Sequence, residues 1–224
     1  MIIKVGDCVK VKKGIKDPDF ENDLIENWQG NVVEIVEEYD NENIALICIE
    51  WDSETLKKCS KKYIQKCEIE GFDWRMMNLF VSEIEITTSI DTEQNLKQTQ
   101  KIISENNYWA SFGEEGERIE KIIKDIKPDD ERKSFLAWKK YMENNLKFPF
   151  DTIVEFSEDN WKVKLGDKFR IKKISTVVGL YGIIAKGKIN NETIEFPICD
   201  VEVIDSKSKN FEIINDYKVW FSNR

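Results

Sequence analysis

Lys4-Val5-Gly6-Asp7-Cys8-Val9-Lys10-Val11-Lys12-Lys13 returns, in residue type at nearly every place, as Lys164-Leu165-Gly166-Asp167-Lys168-Phe169-Arg170-Ile171-Lys172-Lys173. Each copy is a Gly-Asp turn running into a stretch where apolar and basic residues alternate, the period of a half-buried strand. The echo continues outward. Trp28-Gln29-Gly30 and Leu180-Tyr181-Gly182 each open a β-branched run, and Ser82-Glu83-Ile84-Glu85-Ile86 is matched by Asp200-Val201-Glu202-Val203-Ile204. A Gly-Asp strand, a turn glycine, a hairpin and a closing strand, in that order, describe a small barrel used twice.

Between the two echoes the period changes. Asn31 to Glu38 and Ile44 to Trp51 read as a hairpin turning at Asp40-Asn41-Glu42-Asn43, and Leu56, Cys59, Tyr63 and Cys67 recur at helical steps until Gly71. From residue 91 to 146 three helices are expected. Asp91 with Gln94 and Ser111 with Glu114 have capping spacing. Ile119, Ile122, Ile123 and Ile126 share one face, Pro128 stops that helix, and Phe135, Trp138, Met142 and Leu146 form the next apolar stripe. The sequence therefore predicts an α+β, mainly β chain: an SH3-like barrel over 1–90, a helical connector over 91–147 and a second SH3-like barrel over 148–224.

Composition excludes whole classes of function. The 224 residues hold 34 basic and 43 acidic side chains, a formal charge of -9, and no histidine. Histidine-dependent catalysis and ligation are therefore absent, and long-range attraction to nucleic acid or anionic lipid is not expected. The acidity sits at the front: residues 1–90 carry 11 basic and 19 acidic groups, and residues 136–224 carry 15 and 13. Five cysteines (Cys8, Cys48, Cys59, Cys67, Cys199) form no C-x-x-C pair, which suits reduced thiols. With no leader and no long apolar run, a cytoplasmic protein without a membrane span is expected.

Two motifs fail on their own chemistry. Gly182 to Lys188 satisfies G-x-x-x-x-G-K, but Ile189 stands where magnesium needs a hydroxyl, and the setting is a hairpin. Asp17, Asp19, Glu21 and Asp23 alternate like the start of an EF-hand. That loop needs glycine where Asn22 stands and a bidentate glutamate where Trp28 stands, which leaves a solvated acidic loop.

The stretch from about Trp138 to Arg224 carries Leu146-Lys147-Phe148-Pro149-Phe150, Gly166-Asp167, Leu180-Tyr181-Gly182-Ile183, Phe196-Pro197-Ile198-Cys199-Asp200-Val201-Glu202 and Asp216-Tyr217-Lys218-Val219-Trp220-Phe221-Ser222-Asn223-Arg224. In that order it resembles the small calcium-binding family typified by the cyanobacterial protein CcbP. The resemblance implies an SH3-like barrel with acidic Ca²⁺ sites. Calcium takes about 6 to 8 oxygen ligands, so carboxylates must converge. Asp151 and Glu155 beside Phe-Pro-Phe, and Asp200, Glu202 and Asp205 around the last strand, are the candidates, with Asp200 and Glu202 expected on one face. The expected function is a non-enzymatic calcium-binding protein in a regulatory or buffering role. The alternative is a tandem interaction module that no longer binds calcium, holding a protein partner through Trp28, Trp51 and Trp74 at the strand edges and through the acidic first barrel.

Overall fold

The computed structural model describes residues 3–38, 45–158 and 161–224; the turn expected at Asp40 to Asn43 lies outside them. The chain divides into two compact units, Met1–Gly113 and Glu114–Arg224. The first holds β1 (Cys8–Val11), β2 (Gln29–Glu38), β3 (Ala45–Trp51), α1 (Ser53–Leu56), α2 (Lys61–Glu70), β4 (Met76–Phe80), β5 (Ile84–Ile86) and α3 (Glu93–Asn106). After α4 (Gly113–Ile123), which begins at the boundary, the second holds α5 (Glu131–Asn145), β6 (Phe150–Val154), β7 (Lys168–Val178), β8 (Gly182–Ile189), β9 (Glu192–Pro197), β10 (Val201–Val203) and α6 (Lys209–Asn223).

Each unit is built on one antiparallel five-stranded sheet, ordered β4-β3-β2-β1-β5 in the first and β9-β8-β7-β6-β10 in the second. Counted within each unit the plan is the same. Neither sheet closes into a barrel, which corrects the expectation of two SH3-like barrels. The closing strands β5 and β10 are three residues long, too short to reach the opposite edge, and among the described residues pair only with β1 and β6. Nor is the chain mainly β: 37% is helical and 29% strand. In the second unit helices cover the sheet. Trp138 and Met142 of α5 and Tyr217 and Trp220 of α6 are buried together with Phe169, Ile171, Ile183 and Phe196 of the sheet, so the core lies between layers.

The repeated decapeptide makes one turn twice. Lys4 N–H donates to Asp7 Oδ2 at 2.8 Å and Asp7 N–H to the Lys4 carbonyl at 3.0 Å, with Gly6 at φ +93°. Lys164, Gly166 and Asp167 repeat this at 2.8 Å, 3.0 Å and +84°. Each turn then binds a neighbouring strand by main chain: Val32 exchanges hydrogen bonds with Gly6 and Asp7, and Val154 with Gly166 and Asp167. Val32 lies in β2, after the turn, whereas Val154 lies in β6, before it. The motif therefore sits on the first strand of one sheet and the second strand of the other, and the two halves share a turn without sharing strand roles.

Local signals place the remaining elements. Ser60 accepts the Tyr63 N–H to start α2, and Gly71 at φ +78° ends it through a left-handed cap. Asp130 accepts the Lys133 N–H to start α5, whose buried stripe Phe135, Trp138, Met142 is the expected one. Thr92, and not Asp91, caps α3; the Asp91 carboxylate instead takes the Ser53 N–H at 2.7 Å. Asn190 and Asn191, at φ +47° and +69°, make the two-residue turn between β8 and β9, so the would-be phosphate loop is strand.

Candidate metal centre

The family-like signature at the end of the chain builds the support on which any site must rest. Gly182 has φ +69°, and a Cβ there would lie 2.3 Å from the Tyr217 hydroxyl and 2.6 Å from Phe221 Cε2. The bare glycine lets that hydroxyl come close enough to accept the Ile183 N–H at 2.8 Å. Leu-Tyr-Gly-Ile and Tyr-x-x-Trp-Phe are thus two halves of one contact. Asn210 of α6 does the same for the segment before β6, accepting the Lys147 N–H and donating to the Lys147 carbonyl, both at 2.9 Å. Asp216 is buried and receives a two-pronged pair from Arg118 of α4, both bonds 2.7 Å.

Held this way, α6 brings Lys218 over the junction of β6 and β10. Glu155 follows β6, and its N–H donates to the Asp200 carbonyl at 2.9 Å. Asp200 ends the 3₁₀ turn Ile198–Asp200 that leads into β10. The Lys218 ammonium donates to Glu155 Oε2 and lies 3.4 Å from the Val201 carbonyl. Burial pushes the Asp200 carboxyl up; the Cys199 thiol and Lys218 pull it back down, and Glu158 adds to the rise. The Cys199 thiol is pushed up to about 12, chiefly by burial and then by Asp200. One carboxylate and a carbonyl thus meet the Lys218 ammonium, with Asp200 next to that carbonyl along the chain.

Of the five carboxylates singled out from sequence, Glu155 and Asp200 come to this corner and three do not. Asp151 lies directly across from Arg170 and pairs with it at 3.0 and 3.1 Å. Glu202 points to solvent between buried Val201 and Val203. Asp205 turns the chain toward α6, accepting the Lys207 N–H at 3.2 Å. The expectation that Asp200 and Glu202 share a strand face fails because Asp200 belongs to the 3₁₀ turn, where strand alternation does not apply. Among the described residues no three His, Cys, Asp or Glu side chains gather as a metal cage. Lys218, quoted in the sequence only as one place in the terminal stretch, was not singled out because its partner Glu155 is 63 residues away.

The first unit offers less. Trp51 is wholly buried and Trp74 is 4% exposed, while Trp28 packs edge-on against Trp51 with ring centroids 5.2 Å apart. These rings fill the core instead of lining an open strand edge. The acidic loop is not simply solvated either. Asp17 is 2% exposed, and it accepts N–H groups from Asp19 and Phe20 and the Tyr63 hydroxyl at 2.8, 3.0 and 2.8 Å. An apolar groove of about 330 Å³ does open in the second unit, lined by Trp161, Tyr181, Ile184, Ile194 and Phe196, beside β9 at the edge of its sheet.

Comparison with known proteins finds a likeness in the second unit. Residues 117–221 match the family model of CcbP-type proteins, described as calcium binding. This stretch begins inside α4, earlier than Trp138, and so takes in Arg118. Two solved structures are similar. The crystal structure of Anabaena CcbP is 18% identical, covering 47% of this chain and 90% of its own, with a TM-score of 0.39. A calcium binding protein in the calcium-binding form is 19% identical, covering 49% of this chain and 90% of its own, with a TM-score of 0.41. No curated protein matches the chain. The second unit is CcbP-like, and Ca²⁺ is the ion this likeness indicates. The donors at the Glu155 corner are of the right kind, hard oxygens, but they are fewer than calcium takes, and water would have to supply the rest. No helix among the described residues is long and apolar enough to cross a membrane.

Proposed function

We propose that the protein is a non-enzymatic calcium-binding protein of the cytoplasm, buffering or regulatory in role, whose second unit takes Ca²⁺ where Glu155 and Asp200 meet. The observation that carries this reading is the main-chain join of Glu155 to Asp200, beside which the Lys218 ammonium meets the Glu155 carboxylate and lies 3.4 Å from the Val201 carbonyl. Glu155 and Asp200 would hold the ion, and the ion would supply charge neutralisation there. The absence of histidine supports a non-enzymatic role, and five free thiols suit a reducing compartment. Calorimetric titration of the whole protein with calcium chloride at low ionic strength tests it. With so few carboxylates, a dissociation constant on the order of 10⁻⁴ M is expected. At a hundredfold excess over that constant the fold gains about 2.7 kcal/mol. No heat and no melting shift would refute the reading.

A second reading is favoured by the groove beside β9. An apolar trough with Trp161 at its wall and a strand edge unpaired among the described residues suits an extended peptide, and in this reading the protein is an interaction module that has lost calcium. Trp161→Ala would then abolish partner binding without changing the response to calcium.

A further inference from the structure

The outer face of the second sheet carries charge that its backbone plan does not require. Where β7 pairs with β8, Arg170 stands directly opposite Lys188 and, past a bulge, Lys173 directly opposite Lys186. Like charges opposed across antiparallel strands, about 5 Å apart at Cβ, destabilise a sheet. The hairpin of β2 and β3 has the same plan, with register shifts at the same two places, and at the corresponding rungs it sets Asn31 against Glu50 and Glu34 against Cys48. The bulged hairpin therefore forms without cations, and their crowding on β7 and β8 has another cause.

The flanking strands offset that charge only in part. Asp151 of β6 pairs with Arg170 at 3.0 Å and Glu195 of β9 with Lys186 at 3.4 Å, and all four side chains stay largely exposed. Lys168 and Lys172 of β7 are exposed and Lys188 is partly so. Among the described residues no carboxylate pairs with any of these three. Six basic side chains thus meet solvent with two carboxylates, on successive rungs about 7 Å apart. Beyond the basic rungs the same face presents Thr176, Ile184, Thr193 and Pro197, with no aromatic ring on which a base could stack. A polyanion much longer than the patch would run onto a protein of formal charge -9, whereas a short, dense one meets the patch alone.

We propose that the outer face of β7 and β8 binds a short chain of phosphoryl groups between Arg170, Lys173, Lys186 and Lys188, with Lys168 and Lys172 beside them. Lysine ammoniums suit phosphoryl oxygens as compact charges with several donors, and Arg170 adds a planar fork. The ligand relieves the repulsion between the opposed cations, so binding and sheet stability rise together. The phosphoryl chain can be an inorganic oligophosphate or the tail of a nucleoside triphosphate. The site does not depend on the calcium reading above.

The test titrates sodium tripolyphosphate calorimetrically into the full chain, in calcium-free buffer at low ionic strength. Binding should weaken about tenfold or more when Lys173→Gln and Lys188→Gln are combined, and also when salt is raised to about 0.2 M. Lys207→Gln, an exposed lysine outside the sheet, should leave it unchanged. Thermal melts supply a second readout. Tripolyphosphate should raise the wild-type midpoint by several degrees and leave that of the double variant where it was. Without ligand the double variant, which loses one cation from each opposed pair, should melt no lower than the wild type. Adenosine triphosphate binding as tightly as tripolyphosphate would support recognition of phosphoryl groups from either source, and much weaker binding would support the inorganic chain alone. No heat with tripolyphosphate, or equal weakening by Lys207→Gln, would overturn the site. Single-stranded DNA that binds more tightly than tripolyphosphate, and more so with length, would overturn the short ligand in favour of a nucleic-acid face.

Discussion

Replacing Gly182 with alanine probes the contact on which the second unit depends. The new Cβ would sit 2.3 Å from the Tyr217 hydroxyl and 2.6 Å from Phe221 Cε2, at a φ of +69° that L side chains rarely adopt. Three costs combine. Left-handed backbone costs alanine about 1 kcal/mol. Overpacking against the two rings costs about 1–3 kcal/mol. Pushing the hydroxyl off the buried Ile183 N–H leaves that donor unpaired, at about 1–3 kcal/mol. A total of about 3–7 kcal/mol should lower the melting temperature by on the order of 10 °C. Gly179→Ala is the matched control, since nothing lies within 4 Å of its Cβ position. Thermal melts of both variants, and of Tyr217→Phe alone and combined with Gly182→Ala, give a double-mutant cycle. Phenylalanine lacks the oxygen nearest the new methyl, so the double variant should be less destabilised than the sum by about 1 kcal/mol. Gly182→Ala melting like Gly179→Ala, or a strictly additive cycle, would refute the account.

Other expectations follow from single contacts. Arg118→Met leaves buried Asp216 without its guanidinium and should cost about 2–4 kcal/mol in denaturant unfolding, toward the low end because Arg118 is itself partly solvated. At Asp91 burial alone would raise the carboxyl, but the Ser53 and Thr92 N–H groups outweigh it and hold it below the usual range. Its contribution is therefore complete above the unfolded-state value of about 3.9 and lost as pH falls through the lower folded value; Asp91→Asn should flatten stability against pH in that acid window. Burial also pushes the Cys59 and Cys199 thiols up to about 12, so both should react slowly with thiol reagents at pH 8 until the protein is unfolded; fast native-state labelling of either would contradict the packing around it.

Local chemistry was legible where a residue acts on its own neighbourhood. Gly71 ends a helix, Asp130 starts one, and the Phe135-Trp138-Met142 stripe is buried as its spacing predicts, because each effect is decided within about one helical turn. Barrel closure was not legible. It depends on whether strands distant in sequence meet, and here the aromatic residues of α5 and α6 form the second layer of the core. The tryptophans misled for a related reason: Trp51 and Trp74 lie near strand ends in sequence but point inward. At the candidate corner Glu155 and Asp200 could be chosen by residue type alone. Which carboxylates come near each other was fixed by a 3₁₀ turn, and the lysine that α6 lands on Glu155 is marked in the sequence only as one place in the terminal Tyr-x-x-Trp-Phe stretch.

The turn at Lys4 to Asp7 and its twin at Lys164 to Asp167 join the neighbouring strand through peptide groups, one N–H and one C=O on Val32 or Val154. Such a connector is indifferent to which side chains it meets and to whether its mate is synthesised earlier or later. It behaves as a transplantable joint: exchanging these tetrapeptides should leave both sheets intact, and evolution could copy the joint without copying the architecture around it.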